Sequence, residues 1–174
     1  MAVKIVRVLN TNAVVSSDQE GRELIITGAG IGFKKKKGEN LDEALADKTY
    51  YLESVDDSRR LQEVVKEISE EYLEIVSRIV KTAREEGLKV RDSLYVTLTD
   101  HINSAVDRYR ENIALKNMMK LEIRKFYPKE YEIGLRAVQW IQEQNDENLG
   151  EDEAAFIAMH IVSAELGSGS NVDV

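Results

Sequence analysis

The sequence predicts an α+β protein of two domains, in which a small antiparallel β-sheet is followed by an all-α helical bundle. In roughly the first fifty residues, short β-branched runs alternate with turns of Asn, Asp and Gly, which is typical of a β-meander. Beyond that stretch, apolar residues recur every three or four positions, which is typical of amphipathic helices. Because the strands all precede the helices, the two patterns indicate separate domains.

The predicted sheet has four short strands, at Val3–Leu9, Ala13–Ser17, Glu23–Thr27 and Lys48–Leu52. We assign this domain to residues 1–55. About fifty residues bury only a thin core, so we expect the domain to be stable mainly as a dimer. Residues 56–60 are polar and are expected to form the linker.

The helical domain is assigned to residues 61–166. Its apolar stripes predict six helices, along Leu61–Ile68, Leu73–Ala83, Leu94–Tyr109, Met118–Phe126, Ile133–Ile141 and Phe156–Ala164. Pro128 fits the first turn of the fifth helix, and the acids Glu151–Glu153 suit the positive end of the last one. Residues 167–174 are rich in Gly, Ser and Asn, and we expect them to be disordered.

Composition excludes several classes of protein. Cys is absent and His occurs only twice, so we expect no disulfide, no metal site and no cofactor. No apolar run approaches the roughly 20 residues that cross a bilayer, and the first ten residues lack a signal-peptide pattern. We therefore expect a cytoplasmic protein that does not insert into membranes.

The net charge of −8 conceals an asymmetry along the chain. Residues 1–40 carry seven Lys and Arg against four acids, a net charge of +3. In this basic part, Gly28, Gly30 and Gly32 alternate before Phe33 and Lys34–Lys37. Glycines permit close approach to the backbone, an aromatic ring offers a stacking face, and lysines neutralise phosphates, so the segment fits RNA. The same lysines also fit an edge strand that is protected from aggregation by charge.

The two histidines share one local pattern. His101 lies at the edge of the apolar stripe of its predicted helix, and both His101 and His160 are followed by Ile-x-Ser-Ala. A neutral imidazole is a nucleophile near neutral pH, so both side chains are candidates for phosphorylation. Asp100 could fix the tautomer of an imidazole, or else cap or solvate the helix. Both histidines could equally be packing residues.

Two other functions are alternatives to RNA binding. A histidine and carboxylate enzyme, or a metal-binding bundle with an accessory basic β domain, would use His101, His160, Asp100, Asp152 and Glu153, which are too few ligands. A reader of double-stranded DNA would need a helix with a basic face, and the basic residues lie on the predicted sheet instead.

Motifs in both domains together resemble those of the bacterial sucrose and β-glucoside transcription antiterminators. They are Val8–Asn12, Gly28–Phe33 with its lysines, Asp100–Ile102, Glu151–Ala155 and Met159–Ile161, and the resemblance covers residues 3–166. Members of that family have a small dimeric RNA-binding domain followed by two helical regulation domains, whose histidines are phosphorylated by the sugar phosphotransferase system. This chain shows one regulation domain, so we expect a truncated protein in which the second copy is absent.

The resemblance implies an RNA-binding antiterminator and not an enzyme. It implies binding to a partly paired hairpin in leader mRNA, so that the overlapping terminator does not form. The implied RNA contacts are Arg7, Asn10, Asn12, Gly28, Ala29, Gly30 and Phe33, to which Lys34 and Lys35 add phosphate contacts. We expect the backbone amides near Gly28–Gly32 to take part.

The resemblance also implies regulation by phosphate on His101 and His160, with Asp100 in support. The implied donors are the sugar permease of the phosphotransferase system and its histidine phosphocarrier protein. We expect a homodimer, with the two histidines close together near the dimer interface, and we expect phosphate to disfavour the RNA-binding dimer.

Overall fold

The computed structural model of the protein describes residues 3–165. They form two compact units that meet in the sequence between Glu70 and Glu71. The first unit contains an antiparallel sheet and the second is helical, so the predicted α+β class is confirmed. The disorder expected for residues 167–174 concerns a segment outside the described residues. Within the described part of the chain, no helix has the length and apolarity needed to span a bilayer.

The sheet of the first unit is a four-stranded meander in which each strand pairs with the next along the chain. Its strands are β1 (Ile5–Asn10), β2 (Ala13–Ser17), β3 (Glu23–Thr27) and β4 (Lys48–Tyr50). The turn between β2 and β3 closes at Gly21, whose φ of 81° is left-handed and suits a residue without Cβ. The predicted meander is therefore confirmed.

Both faces of the sheet are covered. On one face, Val14 and Ile26 pack with Ile31 and Leu41, which come from the connection between β3 and β4. The opposite face carries Arg7, which alternates with Val8 along β1. Helix α1 (Val55–Glu67) packs against β1 and β3 and contacts Arg7 from that side. Thus α1 supplies burial that a four-stranded sheet alone would lack.

The structure differs from the sequence prediction at residues 56–60, which belong to α1 and not to a linker. The Ser54 side chain caps α1 by accepting a hydrogen bond from the Asp57 amide, and acids in the first turn complement the helix dipole. The segment is polar because only one side of α1 is buried. Helix α1 also belongs to the first unit, whereas the sequence pattern predicts that residues 61–70 belong to the helical domain.

The second unit contains five helices: α2 (Glu70–Glu85), α3 (Ser93–Arg110), α4 (Lys120–Phe126), α5 (Pro128–Asn145) and α6 (Glu151–Ala164). Helix α6 packs against α3, α4 and α5. Helices α5 and α6 approach closely at Gly134, where an added Cβ would lie 2.2 Å from the Ala154 carbonyl oxygen. This packing places the first turn of α6 beside the middle of α3.

Candidate RNA interface and histidine cluster

Two turns of the first unit are joined into one surface. The amides of Gly28 and Gly32 donate to the carbonyl oxygens of Asn12 (3.0 Å) and Thr11 (2.8 Å). The Gly30 amide donates to the Asn12 side-chain oxygen at 2.9 Å. The turn between β1 and β2 and the loop after β3 therefore hold each other in place, which brings the predicted RNA-contacting residues of both segments together.

The glycines of this loop are needed for close packing within the protein. A Cβ at Gly28 would lie 1.8 Å from the Leu45 carbonyl oxygen, and one at Gly32 would lie 2.2 Å from that of Asn10. The amides of Gly28, Gly30 and Gly32 already donate inside the unit, as does that of Ile31 to the Gly28 carbonyl. In this arrangement the single hydrogens of these amides are in use, so their contact with RNA stays a prediction that requires a rearrangement of the loop.

The side chains at the tip of the loop face solvent. Phe33 is 59% exposed, and the Lys34 ammonium lies 5.4 Å from the centre of its ring. Ala29 is exposed beside it, and Lys35 is half-buried. An exposed aromatic ring with adjacent cations is suited to stacking on a base while neutralising nearby phosphates. Phe33, Lys34 and Lys35 therefore form the accessible part of the predicted RNA interface.

The other predicted RNA contacts are engaged by protein groups. Arg7 donates to the side-chain oxygen of Gln62 on α1 at 2.6 Å and pairs with the Glu23 carboxylate at 3.3 Å. The side-chain amide of Asn10 donates to the backbone carbonyl of Val65 at 2.8 Å. The side-chain amide of Asn12 donates to the Glu70 carboxylate at 3.1 Å. Sequence periodicity gives no sign of the contacts with Gln62, Val65 and Glu70, because they join positions more than fifty residues apart.

The Glu23 carboxylate remains charged in this network. Gln62 donates to it at 2.9 Å, and this hydrogen bond, followed by those from Arg7, holds the pKa of Glu23 below its usual range. Gln62 is itself only 3% exposed. The Arg7 guanidinium is thus matched by a carboxylate and by an amide from α1.

The two histidines of the second unit lie together. The centres of the His101 and His160 rings are 4.7 Å apart, so the predicted proximity is confirmed. Burial, followed by the charge of the neighbouring His101, lowers the pKa of His160 to about 4. His160 is therefore a neutral imidazole near pH 7, with a lone pair on one ring nitrogen.

The acid beside His101 is Glu153 and not Asp100. His101 Nε2 hydrogen-bonds the Glu153 carboxylate, whereas the Asp100 side chain is exposed. The second oxygen of Glu153 lies 3.7 Å from the Arg108 guanidinium. Asp100 is the predicted partner because it adjoins His101 in the chain, but adjacent residues on a helix point in directions about 100° apart.

The described residues offer no basis for a metal centre. Within residues 3–165, no three His, Cys, Asp or Glu side chains are grouped so that they could hold a metal ion. The histidine cluster consists of two imidazoles, one carboxylate and one guanidinium. Such a set is suited to holding a phosphoryl group or a proton.

Comparison with known proteins identifies two matching families. The CAT RNA-binding domain matches residues 3–59, and the PRD domain matches residues 73–164. The first match covers the sheet with the glycine-rich loop after β3, and the second covers the helices that carry both histidines. Each match therefore coincides with one of the two compact units.

Named relatives match along nearly the whole chain. The β-glucoside operon antiterminator of Dickeya chrysanthemi is 38% identical over 167 residues, which cover 95% of this chain and 59% of the relative. The transcription antiterminator LicT of Bacillus subtilis is 38% identical over 165 residues, which cover 94% of this chain and 60% of the relative. The chain thus spans about three fifths of the length of these relatives.

A solved structure shares the fold. The crystal structure of GlcT CAT-PRDI superposes with a TM-score of 0.75 at 27% sequence identity, covering 94% of this chain and 98% of that one. A sheet domain followed by one helical domain is therefore common to both chains.

Proposed function

The chain belongs to the family of bacterial β-glucoside-type transcription antiterminators, which combine a CAT RNA-binding domain with a PRD domain and are not enzymes, and from this premise we propose that it binds leader mRNA. The RNA is a partly paired hairpin whose formation prevents the overlapping terminator from forming. The supporting observation is the joined pair of turns that presents Phe33, Lys34 and Lys35 together. Since leader mRNA is made in the bacterial cytoplasm, the protein acts there.

The contacts in this proposal follow the chemistry of the exposed groups. Phe33 stacks on an unpaired base, and Lys34 and Lys35 neutralise phosphates. Asn10 and Asn12 lie at the same pair of turns, Arg7 lies within β1, and all three add hydrogen bonds to RNA. Ala29 and Gly30 shape the loop surface, while the buried Gly28 acts by letting the loop pack against Leu45.

The proposal includes regulation through the histidine cluster. His101 and His160 accept phosphoryl groups from the sugar phosphotransferase system, through its sugar permease and its histidine phosphocarrier protein. Two features support this role: His160 is neutral near pH 7, and the His101 ring is only partly buried. Each phosphoryl group adds about −1.5 to −2 charges beside Glu153, which changes the electrostatics of this half-buried site.

A homodimer is the assembly that we propose. The second unit exposes a series of large apolar side chains between the end of α3 and the start of α5, namely Tyr109, Ile113, Leu115, Met118, Met119, Leu121, Phe126 and Tyr127. Soluble monomers rarely leave so many apolar side chains uncovered in one stretch, and a second copy with the same surface would cover them around a twofold axis. A monomer mass in solution at micromolar concentration would contradict this assembly.

RNA binding is tested by electrophoretic mobility shift with three probes. A library of short RNA hairpins with randomised internal loops is compared with single-stranded RNA of the same composition and with fully paired duplex. We expect a shift with a subset of the hairpins, weakened strongly by salt because phosphate contacts release counterions. Equal affinity for all three probes, or no shift, would refute specific hairpin recognition.

Regulation is tested by replacing both histidines with Asp, an imperfect mimic of the added charge. We expect weaker hairpin binding and weaker dimerisation together, since phosphate on these residues disfavours the RNA-binding dimer. Unchanged affinity and unchanged dimer dissociation, in this variant and in authentically phosphorylated protein, would identify His101 and His160 as packing residues.

A further inference from the structure

The histidine cluster contains a carboxylate whose position points to a specific role. Glu153 lies in the first turn of α6, is 8% exposed, and has both oxygens engaged, one by His101 Nε2 and one by the Arg108 guanidinium. Arg108 follows His101 by two turns on α3, so both project from one face of that helix. A buried carboxylate is costly unless it is paired, and these two partners keep Glu153 in place.

We propose that Glu153 is the positioning residue for phosphorylation of His101, a role that rests on the proposed regulation by phosphate. A carboxylate only accepts hydrogen bonds, so its contact with Nε2 puts the ring proton on that nitrogen. In the neutral ring the lone pair is then on Nδ1, which is the nitrogen that takes the phosphoryl group. Arg108 acts through Glu153 by holding the carboxylate in this orientation.

The transfer is balanced without a further reactant. The Nδ1 lone pair forms the new bond to phosphorus, and the bond from phosphorus to the donor nitrogen breaks, with its electron pair leaving on the donor. Nε2 keeps its proton throughout. The ring gains positive charge as the bond forms, and the Glu153 carboxylate at Nε2 stabilises that charge, so the residue favours the transfer as well as the tautomer.

The small donor phosphoramidate tests this assignment without a partner protein. The chain with His160→Ala, in which His101 is the single histidine, is treated with phosphoramidate, and ³¹P–¹H NMR identifies which ring nitrogen carries phosphorus. We expect the Nδ1 isomer. Adding Glu153→Gln should slow incorporation on the order of tenfold or more and yield mixed isomers, because an amide both donates and accepts. Glu151→Gln, an exposed position in the same turn of α6, is the matched control.

The outcomes separate this inference from the proposed function. Phosphorus on Nε2 in the Glu153 protein, or an unchanged rate and isomer in Glu153→Gln, would overturn the positioning role. The isomer measurement needs no variant at Glu153, so it holds even if Glu153→Gln fails to fold. Modification by phosphoramidate but not by a phosphotransferase-system donor would refute the proposed regulation alone.

A different observation, in the first unit, carries a second inference. Three of the side chains assigned to RNA contacts, Arg7, Asn10 and Asn12, have their polar groups bonded to Gln62, to the Val65 carbonyl and to Glu70. All three partners lie on α1 or just beyond its end. Two of the groups also face carboxylates, Arg7 at Glu23 and Asn12 at Glu70. Carboxylate oxygens therefore occupy positions where phosphate oxygens would accept the same hydrogen bonds.

We infer that α1 and RNA compete for these side chains, so that α1 in this position is an autoinhibitory contact. This inference rests on the proposed RNA binding. An Arg7 guanidinium already paired with Glu23 and Gln62 has few donors left for phosphate, and the Asn10 amide points at α1. RNA gains these contacts when the end of α1 around Val65–Glu70 moves away, while Phe33 and the lysines need no such movement.

The test is a gain of affinity, which a damaged protein would not produce. In the double variant, Gln62→Leu removes the side-chain contact of α1 to Arg7, and Glu70→Gln replaces the charged acceptor of the Asn12 side chain by a weaker neutral one at nearly the same size and shape. We expect tighter binding to the selected RNA hairpin, about fivefold for each removed or weakened contact, which corresponds to roughly 1 kcal/mol per net hydrogen bond. Glu67→Gln, exposed near the same end of α1, controls for the change in charge.

The same competition is measurable in the unsubstituted chain. Hydrogen exchange of the α1 amides should become faster when saturating hairpin RNA is added, because RNA displaces the helix. Unchanged or slower exchange there, or an affinity in the double variant no higher than in Glu67→Gln, would overturn the inference while leaving RNA binding intact. Absence of hairpin binding by every folded variant would overturn the proposed function, and this inference with it.

Discussion

Replacing Phe33 by Ala isolates the stacking contribution at the predicted RNA interface. The ring is 59% exposed, so its loss should change the free energy of unfolding by less than about 0.5 kcal/mol. If a base stacks on it, the loss of binding free energy is about 1–3 kcal/mol, which raises the dissociation constant roughly 5- to 150-fold. The assay is a titration of the selected hairpin at several salt concentrations, in which the salt dependence should stay unchanged because the lysines remain.

Tyr51 provides the control for this substitution. Its ring is 40% exposed and has the Arg22 guanidinium 5.1 Å from its centre, so it is also an exposed ring beside a cation, but it follows β4 and is not one of the predicted RNA contacts. Tyr51→Ala should therefore leave RNA affinity unchanged. Full affinity in Phe33→Ala, or an equal loss in both variants, would show that no base stacks on Phe33.

Further predictions concern packing and titration. Gly134→Ala should destabilise the helical unit by about 1–3 kcal/mol in urea unfolding, since its Cβ would lie 2.2 Å from the Ala154 carbonyl oxygen, and an unchanged midpoint would contradict this close approach. Burial, followed by the neighbouring Glu130, raises the pKa of Glu165 to about 7. The free energy of unfolding should therefore fall as the pH rises through 7. At pH 8, Glu165→Gln should be more stable than the parent by roughly 1 kcal/mol after allowance for solvent screening. His160, whose folded pKa of about 4 lies below its ordinary 6.5, should stay neutral by NMR down to pH 5, and stability should decline as the pH falls from 6.5 towards 4; a titration midpoint near 6.5 would contradict its burial.

The secondary structure followed from local patterns because those patterns act over a few residues. The alternation in Ala13–Ser17 and Glu23–Thr27 predicted β2 and β3 with their observed bounds, and the apolar stripe with Asp92 and Ser93 predicted α3. The shared Ile-x-Ser-Ala pattern also indicated that His101 and His160 occupy similar positions, and the structure places them together.

The partners of the site residues did not follow from the sequence. Glu153 contacts His101 from another helix, and Gln62 contacts Arg7 from a helix that the sequence pattern assigned to the other domain. Such pairs depend on how elements pack, and no period of 2 or 3.6 residues encodes them. The glycine loop shows a related limit: its glycines indicated close backbone approach, but the approaching group is the protein's own Leu45 and Asn10 carbonyls.

Both candidate sites satisfy their polar groups internally before any phosphate arrives. Arg7 is paired with Glu23 and Asn12 with Glu70, and Arg108 is paired with Glu153. Binding of a phosphate at any of these groups is therefore an exchange of one anion for another, and the measurable gain is the difference between the two pairings. Removing an internal carboxylate should consequently strengthen phosphate binding where that carboxylate competes, as at Glu70, and weaken transfer where it orients the acceptor, as at Glu153. We therefore expect Glu70→Gln to strengthen RNA binding and Glu153→Gln to slow phosphoryl transfer. Because both substitutions remove one negative charge, the opposite effects would come from the role of each carboxylate and not from the change in charge.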